Sequence, residues 1–281
     1  MNYKDAINLG SRTLKSNNIK SYNLDSELLL AKTLNLTREE ILINLQTQIN
    51  QKKLLDFKKL INRRKLNEPI AYILNSKEFW KYKFYVNYNV LIPRPETEMI
   101  VEESLKNINF DKSIKLLDIG TGSGCIIISI LNDRPNCYGS AIDICEKALK
   151  VAKYNAKMHH LTNKINFINM DIDKFLNCKY DFIISNPPYI KKFDLKRLES
   201  NVRLYEPAVA LEAGADGFSG IKKIIIKSSK LLKKNGQLIF EIGEKQVEYS
   251  KYLLKKNGFY INKICNDFYS KPRVIRSTKR A

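Results

Sequence analysis

The residues best suited to chemistry stand at the ends of apolar runs. Ser185-Asn186-Pro187-Pro188-Tyr189 closes the run Tyr180–Ser185, which reads as a buried strand. Two prolines cannot continue a helix and give no N–H to a sheet ladder, so the chain leaves the sheet here in a stiff, extended loop. The loop begins with an amide side chain and ends with an aromatic ring, with two backbone carbonyls between them. This is an acceptor-rich clamp beside a flat ring, a shape suited to a planar –NH2 group. A second stretch, Leu116-Leu117-Asp118-Ile119-Gly120-Thr121-Gly122-Ser123-Gly124, reads as a buried strand running into a glycine turn with a helix behind it. Glycines let the backbone turn sharply and let a ligand lie against it. A dinucleotide fingerprint would place its third glycine where this chain has Cys125, which weakens a nicotinamide reading.

Two acids extend the glycine turn into a nucleoside pocket. Asp143 ends the next strand, 23 positions after Gly120, where a carboxylate can accept both hydroxyls of a ribose. Asp171 follows the third strand, where it can accept an amino hydrogen of adenine, and Ile172 beside it can pack on the base. Open α/β sheets bind ligands at the carboxyl ends of successive strands. A further segment, Ile92-Pro93-Arg94-Pro95-Glu96-Thr97-Glu98, reads as a rigid loop entering a helix. Arg94 and Glu96 either pair to brace the pocket floor or touch the substrate.

The elements that must position these groups follow from periodicity. Residues 1 to about 75 read as helices only, with Asp25 as an N-cap and Thr37-Arg38-Glu39-Glu40 as a capping box. From Phe79 to Ile92 the period becomes two, which predicts a hairpin with its turn near Asn87-Tyr88-Asn89. Beyond it, strands at Lys115–Ile119, Cys137–Ile142, Ile165–Asn169, Tyr180–Ser185, Gln237–Ile242, Phe259–Cys265 and Pro272–Arg276 alternate with helices near 124–132, 146–159, 217–234 and 244–257. That alternation predicts an α/β fold with a mostly parallel seven-stranded sheet. The segment 191–216 reads as long and irregular, as functional loops often are.

Composition narrows the chemistry. With 281 residues and 44% hydrophobic content the chain can bury one large core or two ordinary ones. Its net charge of +20 favours an acidic partner, nucleic acid or protein. Richness in Lys, Asn and Ile, with charge spread along the chain, fits an A/T-biased coding sequence equally well. Cys125, Cys137, Cys145, Cys178 and Cys265 are odd in number and form no C-x-x-C pair, which predicts neither a disulfide frame nor a metal site and points to a reducing cytoplasm. His159 and His160 are the only histidines, and the motifs of zinc hydrolysis, serine hydrolysis and P-loops are absent. No apolar signal region opens the chain and no apolar run approaches a membrane span. A monomer is expected.

Glycine loop, second-strand acid, third-strand acid and Asn-Pro-Pro-Tyr together resemble the amino-methyltransferases that use S-adenosylmethionine. With Ile92–Glu98 and the helical N-terminus added, the chain resembles the HemK/PrmC family, which methylates a glutamine side-chain amide in peptide chain release factors. The resemblance extends to Glu68–Ile73, Tyr205–Leu211 and Glu241-Ile242-Gly243. Asn75 stands where the family usually has glycine, and Asn tolerates the same left-handed turn. The resemblance implies a helical substrate-docking domain at 1–75, a β-hairpin linker at 76–93 and a Rossmann-like class I methyltransferase domain at 94–281. It implies that Gly120, Thr121, Gly122, Ser123, Gly124 and Asp143 hold S-adenosylmethionine, that Asn186 contacts both cofactor and substrate, and that Asn186, Pro187, Pro188 and Tyr189 form the glutamine site.

On this reading Asn186 Oδ1 and the Pro187 carbonyl each accept one N–H of the substrate amide, which frees the nitrogen lone pair to point elsewhere. Tyr189 stacks on the amide, and a sulfonium methyl lies in line at roughly 3–3.5 Å. No metal and no strong base is required. The clamp equally suits N6 of adenine or N2 of guanine in an unpaired nucleic acid, or a glutamine of a ribosomal protein. A non-catalytic nucleoside-binding factor is opposed by the intact Gly120, Asp143 and Asn186.

Overall fold

Helix caps written in the first 75 residues set the first of two compact units. The computed structural model describes residues 1–176 and 179–280, so Cys178 lies outside the described residues. The first unit comprises Met1–Ser76 with Glu199–Tyr205, and the second Lys77–Leu198 with Glu206–Ala281. Helix α1 (Tyr3–Lys15) opens on Asn2, whose side chain accepts from the Asp5 N–H. Helix α2 (Tyr22–Leu34) closes at Asn35 in a left-handed conformation. Helix α3 (Arg38–Ile43) opens on the reciprocal Thr37–Glu40 capping box. Helix α4 (Gln51–Lys65) is capped by Asn50, and α5 (Ile70–Leu74) ends at Asn75 with φ +55°, the left-handed turn expected there. Each cap satisfies groups that a helix end leaves without an intrahelical partner.

These helices bury Leu14, Leu29, Leu30, Ile41, Phe57 and Ile73 against one another. Gly10 permits the close packing, since a Cβ there would lie 2.3 Å from Ser26 Oγ and 2.8 Å from Phe57. Asp25 is not the N-cap of α2, a place taken by Ser21. Asp25 is buried in the first turn and takes a 2.7 Å ion pair from Arg64, a partner 39 residues away. Removing one member of such a buried pair costs about 3–5 kcal/mol, because the other charge is left uncompensated.

The second unit opens with a hairpin of β1 (Lys77–Phe79) and β2 (Tyr82–Phe84). Its turn is Trp80-Lys81, with Trp80 at φ +57°, and not the expected Asn87-Tyr88-Asn89. Asp133 holds that unusual turn from outside by accepting from Trp80 Nε1, Lys81 Nζ and the Tyr82 hydroxyl. Next come α6 (Glu98–Asn107), β3 (Lys115–Ile119), α7 (Cys125–Asp133), β4 (Tyr138–Asp143), α8 (Glu146–Met158), β5 (Ile165–Asn169) and β6 (Tyr180–Ser185). The segment read as irregular contains 3-10 turns at Lys192–Arg197 and Ala208–Ala210 and helix α9 (Ser200–Tyr205), which falls in the first unit. Then follow α10 (Ser219–Leu231), β7 (Leu232–Glu241), α11 (Val247–Lys256), β8 (Phe259–Asn266) and β9 (Pro272–Lys279). Strand β7 begins at Leu232, where the sequence pattern had continued the helix to 234.

Strands β3 to β9 form one seven-stranded sheet in the order β5-β4-β3-β6-β7-β9-β8. The strands from β5 to β7 are parallel, and β9 is antiparallel to both its neighbours. Strand alternation sends Leu116 to one face with Ile127, Ile128 and Ile130, and Leu117 to the other with Ile183, Ile224 and Ile225. Both faces are therefore covered, which is why β3 carries leucines at the adjacent positions 116 and 117. Chain order reverses on either side of β3, and that reversal opens the crevice where open α/β sheets take ligands.

Candidate active site

Strand register gathers the chemistry. Ile119 lies opposite Ile142 and Ser185, and Ser185 lies opposite Phe240. The residues that follow, Asp143, Gly120, Asn186 and Glu241, therefore leave four adjacent strands in one row. A cavity of about 310 Å³ opens there, within the range of small-molecule sites. Its walls include Gly120, Thr121, Gly122, Ser123, Asp143, Asp171, Ile172, Asn186, Pro187, Pro188 and Arg94. Gly124, Glu96 and Tyr189, also singled out in the sequence, do not line it.

Gly120 and Gly122 adopt φ of +71° and +55°, and no atom lies within 4 Å of where a Cβ would stand. The turn thus presents bare backbone with room for a ligand to lie against it. Gly124 has a different task. It caps α7 at φ +80°, and a Cβ there would come within 2.9 Å of Ile128 and 3.3 Å of Ala152. Asp118, fully buried, accepts the Thr121 hydroxyl at 2.7 Å and so fixes the turn from beneath. Burial pushes the Asp118 carboxyl up to about 7, against the lowering effect of the Thr121 bond.

Asp143 Oδ2 accepts from the Gly122 N–H and Oδ1 from the Cys145 N–H, each at 2.9 Å. Each oxygen keeps lone-pair capacity for a ligand hydroxyl. Burial raises the Asp143 pKa, and the backbone N–H bonds hold that rise down. Asp171 caps the turn Ile172–Lys174 by accepting from the Asp173 N–H, and it faces Lys223 at 3.4 Å.

On the other side of the row, Asn186 Nδ2 donates to Thr97 Oγ1 at 2.9 Å, and the Thr97 hydroxyl donates to Glu241 Oε2 at 2.6 Å. No hydrogen bond among the described residues takes up Asn186 Oδ1 or the Pro187 carbonyl. The loop is pressed in place by α10, where a Cβ on Gly220 would lie 2.8 Å from the Pro188 carbonyl. It continues into a parallel bridge, with the Ile190 N–H donating to the Leu211 carbonyl at 3.0 Å. Burial, and then the neighbouring Glu241 charge, raise the Tyr189 pKa. Glu241 itself is driven to about 7, first by burial. Arg94 pairs with Glu206 at 2.5 Å and not with Glu96. Glu206 also accepts from the Ile92 N–H at 3.1 Å, so the pair braces the proline-rich loop.

Comparison with known proteins agrees with this geometry. Residues 5–74 match the PrmC N-terminal domain and residues 97–211 the methyltransferase small domain. The chain is 40% identical over 243 residues to the release factor glutamine methyltransferase of Coxiella burnetii, covering 85% of this chain and 86% of that one. The chain belongs to the HemK/PrmC family of release factor glutamine methyltransferases. It is also 34% identical over 300 residues to a bifunctional methyltransferase of Rickettsia felis, covering 97% of this chain and 57% of that protein. The chain thus spans about half the length of the Rickettsia relatives it matches. A Pyrococcus furiosus methyltransferase structure shares the class I methyltransferase fold at a TM-score of 0.55 and 17% identity, covering 78% of this chain and 98% of that one.

Thr97, Glu241, Glu206 and Gly220 support the loops of the candidate site through contacts between distant segments, and Asp118 does so through Thr121; reading single stretches did not assign any of them. Thr97 and Glu241 stood inside the two segments that carry the family resemblance, which was the available signal. Their contact spans 144 positions and could not be read from either segment alone.

Proposed function

We propose that the chain transfers a methyl group from S-adenosylmethionine to the side-chain amide nitrogen, N5, of a glutamine in a peptide chain release factor. The observation that carries this reading is the pair of unclaimed acceptors, Asn186 Oδ1 and the Pro187 carbonyl, beside a glycine-walled nucleoside cleft. S-adenosylmethionine, when bound, supplies an electrophilic methyl on a sulfonium sulfur. The bare backbone of Gly120 and Gly122, flanked by Thr121 and Ser123, gives it a bed. Asp143 accepts the ribose hydroxyls, Asp171 accepts from the adenine amino group, and Ile172 packs on the base.

An amide nitrogen is a weak nucleophile because its lone pair is delocalised into the carbonyl. Asn186 Oδ1 and the Pro187 carbonyl each accept one of its N–H groups, which turns the lone pair toward the cleft. The same acceptors favour the positive charge that develops on nitrogen, a preorganised electrostatic effect. The proton leaves after transfer, once the nitrogen has become acidic. Tyr189 closes the loop next to Glu241, whose charge helps raise its pKa. Arg94 with Glu206 braces the loop floor, while Glu96 adds negative charge near Glu241. The helical first unit serves as the module that docks the release factor.

Incubation with labelled S-adenosylmethionine and, separately, release factor, DNA and ribosomes tests the assignment, with the label located by mass spectrometry. Label on a release-factor glutamine is the expected result. Label on nucleic acid alone overturns it.

A further inference from the structure

Asn186 is held by Thr97, and Thr97 in turn by Glu241, a chain of contacts between segments 144 positions apart in sequence. Thr97 ends the 3-10 turn Pro95–Thr97, which is stiffened by Pro93 and Pro95 and closed by the Thr97 N–H on the Arg94 carbonyl at 3.1 Å. Glu241 is the last residue of β7 and is paired to Val274 of β9. Both side chains are on rigid supports, and Thr97 and Glu241 are each only 2% exposed. Water is therefore excluded from replacing either partner.

A hydroxyl has one proton to give. That of Thr97 goes to Glu241 Oε2 at 2.6 Å, an oxygen that accepts while it carries no proton itself, so in this arrangement the Thr97 oxygen accepts toward Asn186. It accepts from Asn186 Nδ2 at 2.9 Å. The –NH2 end of Asn186 is thereby tied behind the loop, and Oδ1 is the end left for the cavity. Turning the amide over would set Oδ1 against the lone pairs of Thr97. It would also aim the Asn186 –NH2 at an incoming –NH2, donor against donor.

We infer that Thr97, oriented by Glu241, is a positioning residue that fixes which end of the Asn186 amide faces the methyl-accepting nitrogen. The inference rests on the proposed function for its kinetic consequence and on geometry alone for the orientation. Unlike a general packing role, it assigns the effect to one hydroxyl. Valine keeps the shape of threonine and lacks that hydroxyl, whereas serine keeps the hydroxyl and lacks the methyl.

The test compares wild type, T97V, T97S and, as a second hydroxyl-free variant with space for water, T97A. In the full chain with asparagine 15N-labelled, the Asn186 side-chain protons are followed by NMR, and kcat and KM are measured for methylation of release factor. In wild type and T97S one Asn186 proton should be shifted and protected from exchange, and in T97V the two should become alike. T97V and T97A should lose kcat by roughly 10²-fold, the scale of a misplaced reacting group, with KM for S-adenosylmethionine nearly unchanged. T97S should recover most of that loss. Equal Asn186 protection in wild type and T97V, or a T97S as impaired as T97V, overturns the inference. If the NMR contrast holds and wild type methylates no release factor, the orienting role stands and the proposed substrate falls.

Discussion

The loops after β3 and β6 leave neighbouring strands at the same level and are made of opposite materials. The first is built on glycines with positive φ and nothing standing over them. Its polar partners, Asp118 and Asp143, sit beneath and beside it and hold it through Thr121 Oγ1 and the Gly122 N–H. The second is built on Pro187 and Pro188, which have no N–H to donate, and is pressed from one side by Gly220. Glycine gives space for a ligand to lie on backbone, while proline gives stiffness and unopposed carbonyls. The difference teaches a division of labour. On the proposed function, the glycine loop holds a large nucleoside and the proline loop aims acceptors at a small amino group.

The comparison breaks most visibly if Asn186→Ala acts on the wrong loop. Turnover should fall by roughly 10²–10³-fold, as when one preorganised polar group is removed from a reacting centre, while S-adenosylmethionine affinity changes far less. Comparable losses in both quantities would erase the division. Asp143→Ala should do the reverse. Losing a hydrogen-bonded charge costs about 1.5–3 kcal/mol, so calorimetry should find the cofactor bound about 10- to 100-fold more weakly. Unchanged affinity would remove the ribose assignment.

A smaller effect sharpens the glycine side. The Asp118 carboxyl is raised from its ordinary value of 3.8 to about 7, chiefly by burial. A raised carboxyl favours the folded state fully below its unfolded pKa, and that contribution is lost as pH climbs through about 7. Asp118→Asn removes this titration. Its Tm relative to wild type should therefore improve between about pH 4 and pH 8 in the cofactor-free protein. A Tm difference that stays flat across that range would mean Asp118 is charged throughout.

Much of this was legible in the sequence because it is local. Strand β6 and its proline stop, β3 and its glycine turn, and the Thr37–Glu40 cap each declare themselves within ten residues. What escaped was set by contacts far apart in the chain. The hairpin turn sits on Trp80, a residue no turn propensity would choose, because Asp133 gathers Trp80, Lys81 and Tyr82 around one carboxylate. Asp25 looked like a cap and is instead committed to Arg64. Arg94 has a suitable acid two residues away, yet its partner is Glu206, 112 positions on. At the site, the row of Asp143, Gly120, Asn186 and Glu241 exists only through strand register, so Glu241 could not be joined to Asn186 before the sheet order was known.

The clamp itself is tested most directly by a crystal structure of the protein with S-adenosylhomocysteine and a glutamine-bearing release-factor peptide. The account predicts the glutamine –NH2 donating one hydrogen to Asn186 Oδ1 and the other to the Pro187 carbonyl, with Asn186 Nδ2 still on Thr97. A glutamine bound with its carbonyl toward Asn186, or with its amide outside the Asn186–Pro187 pair, would contradict it.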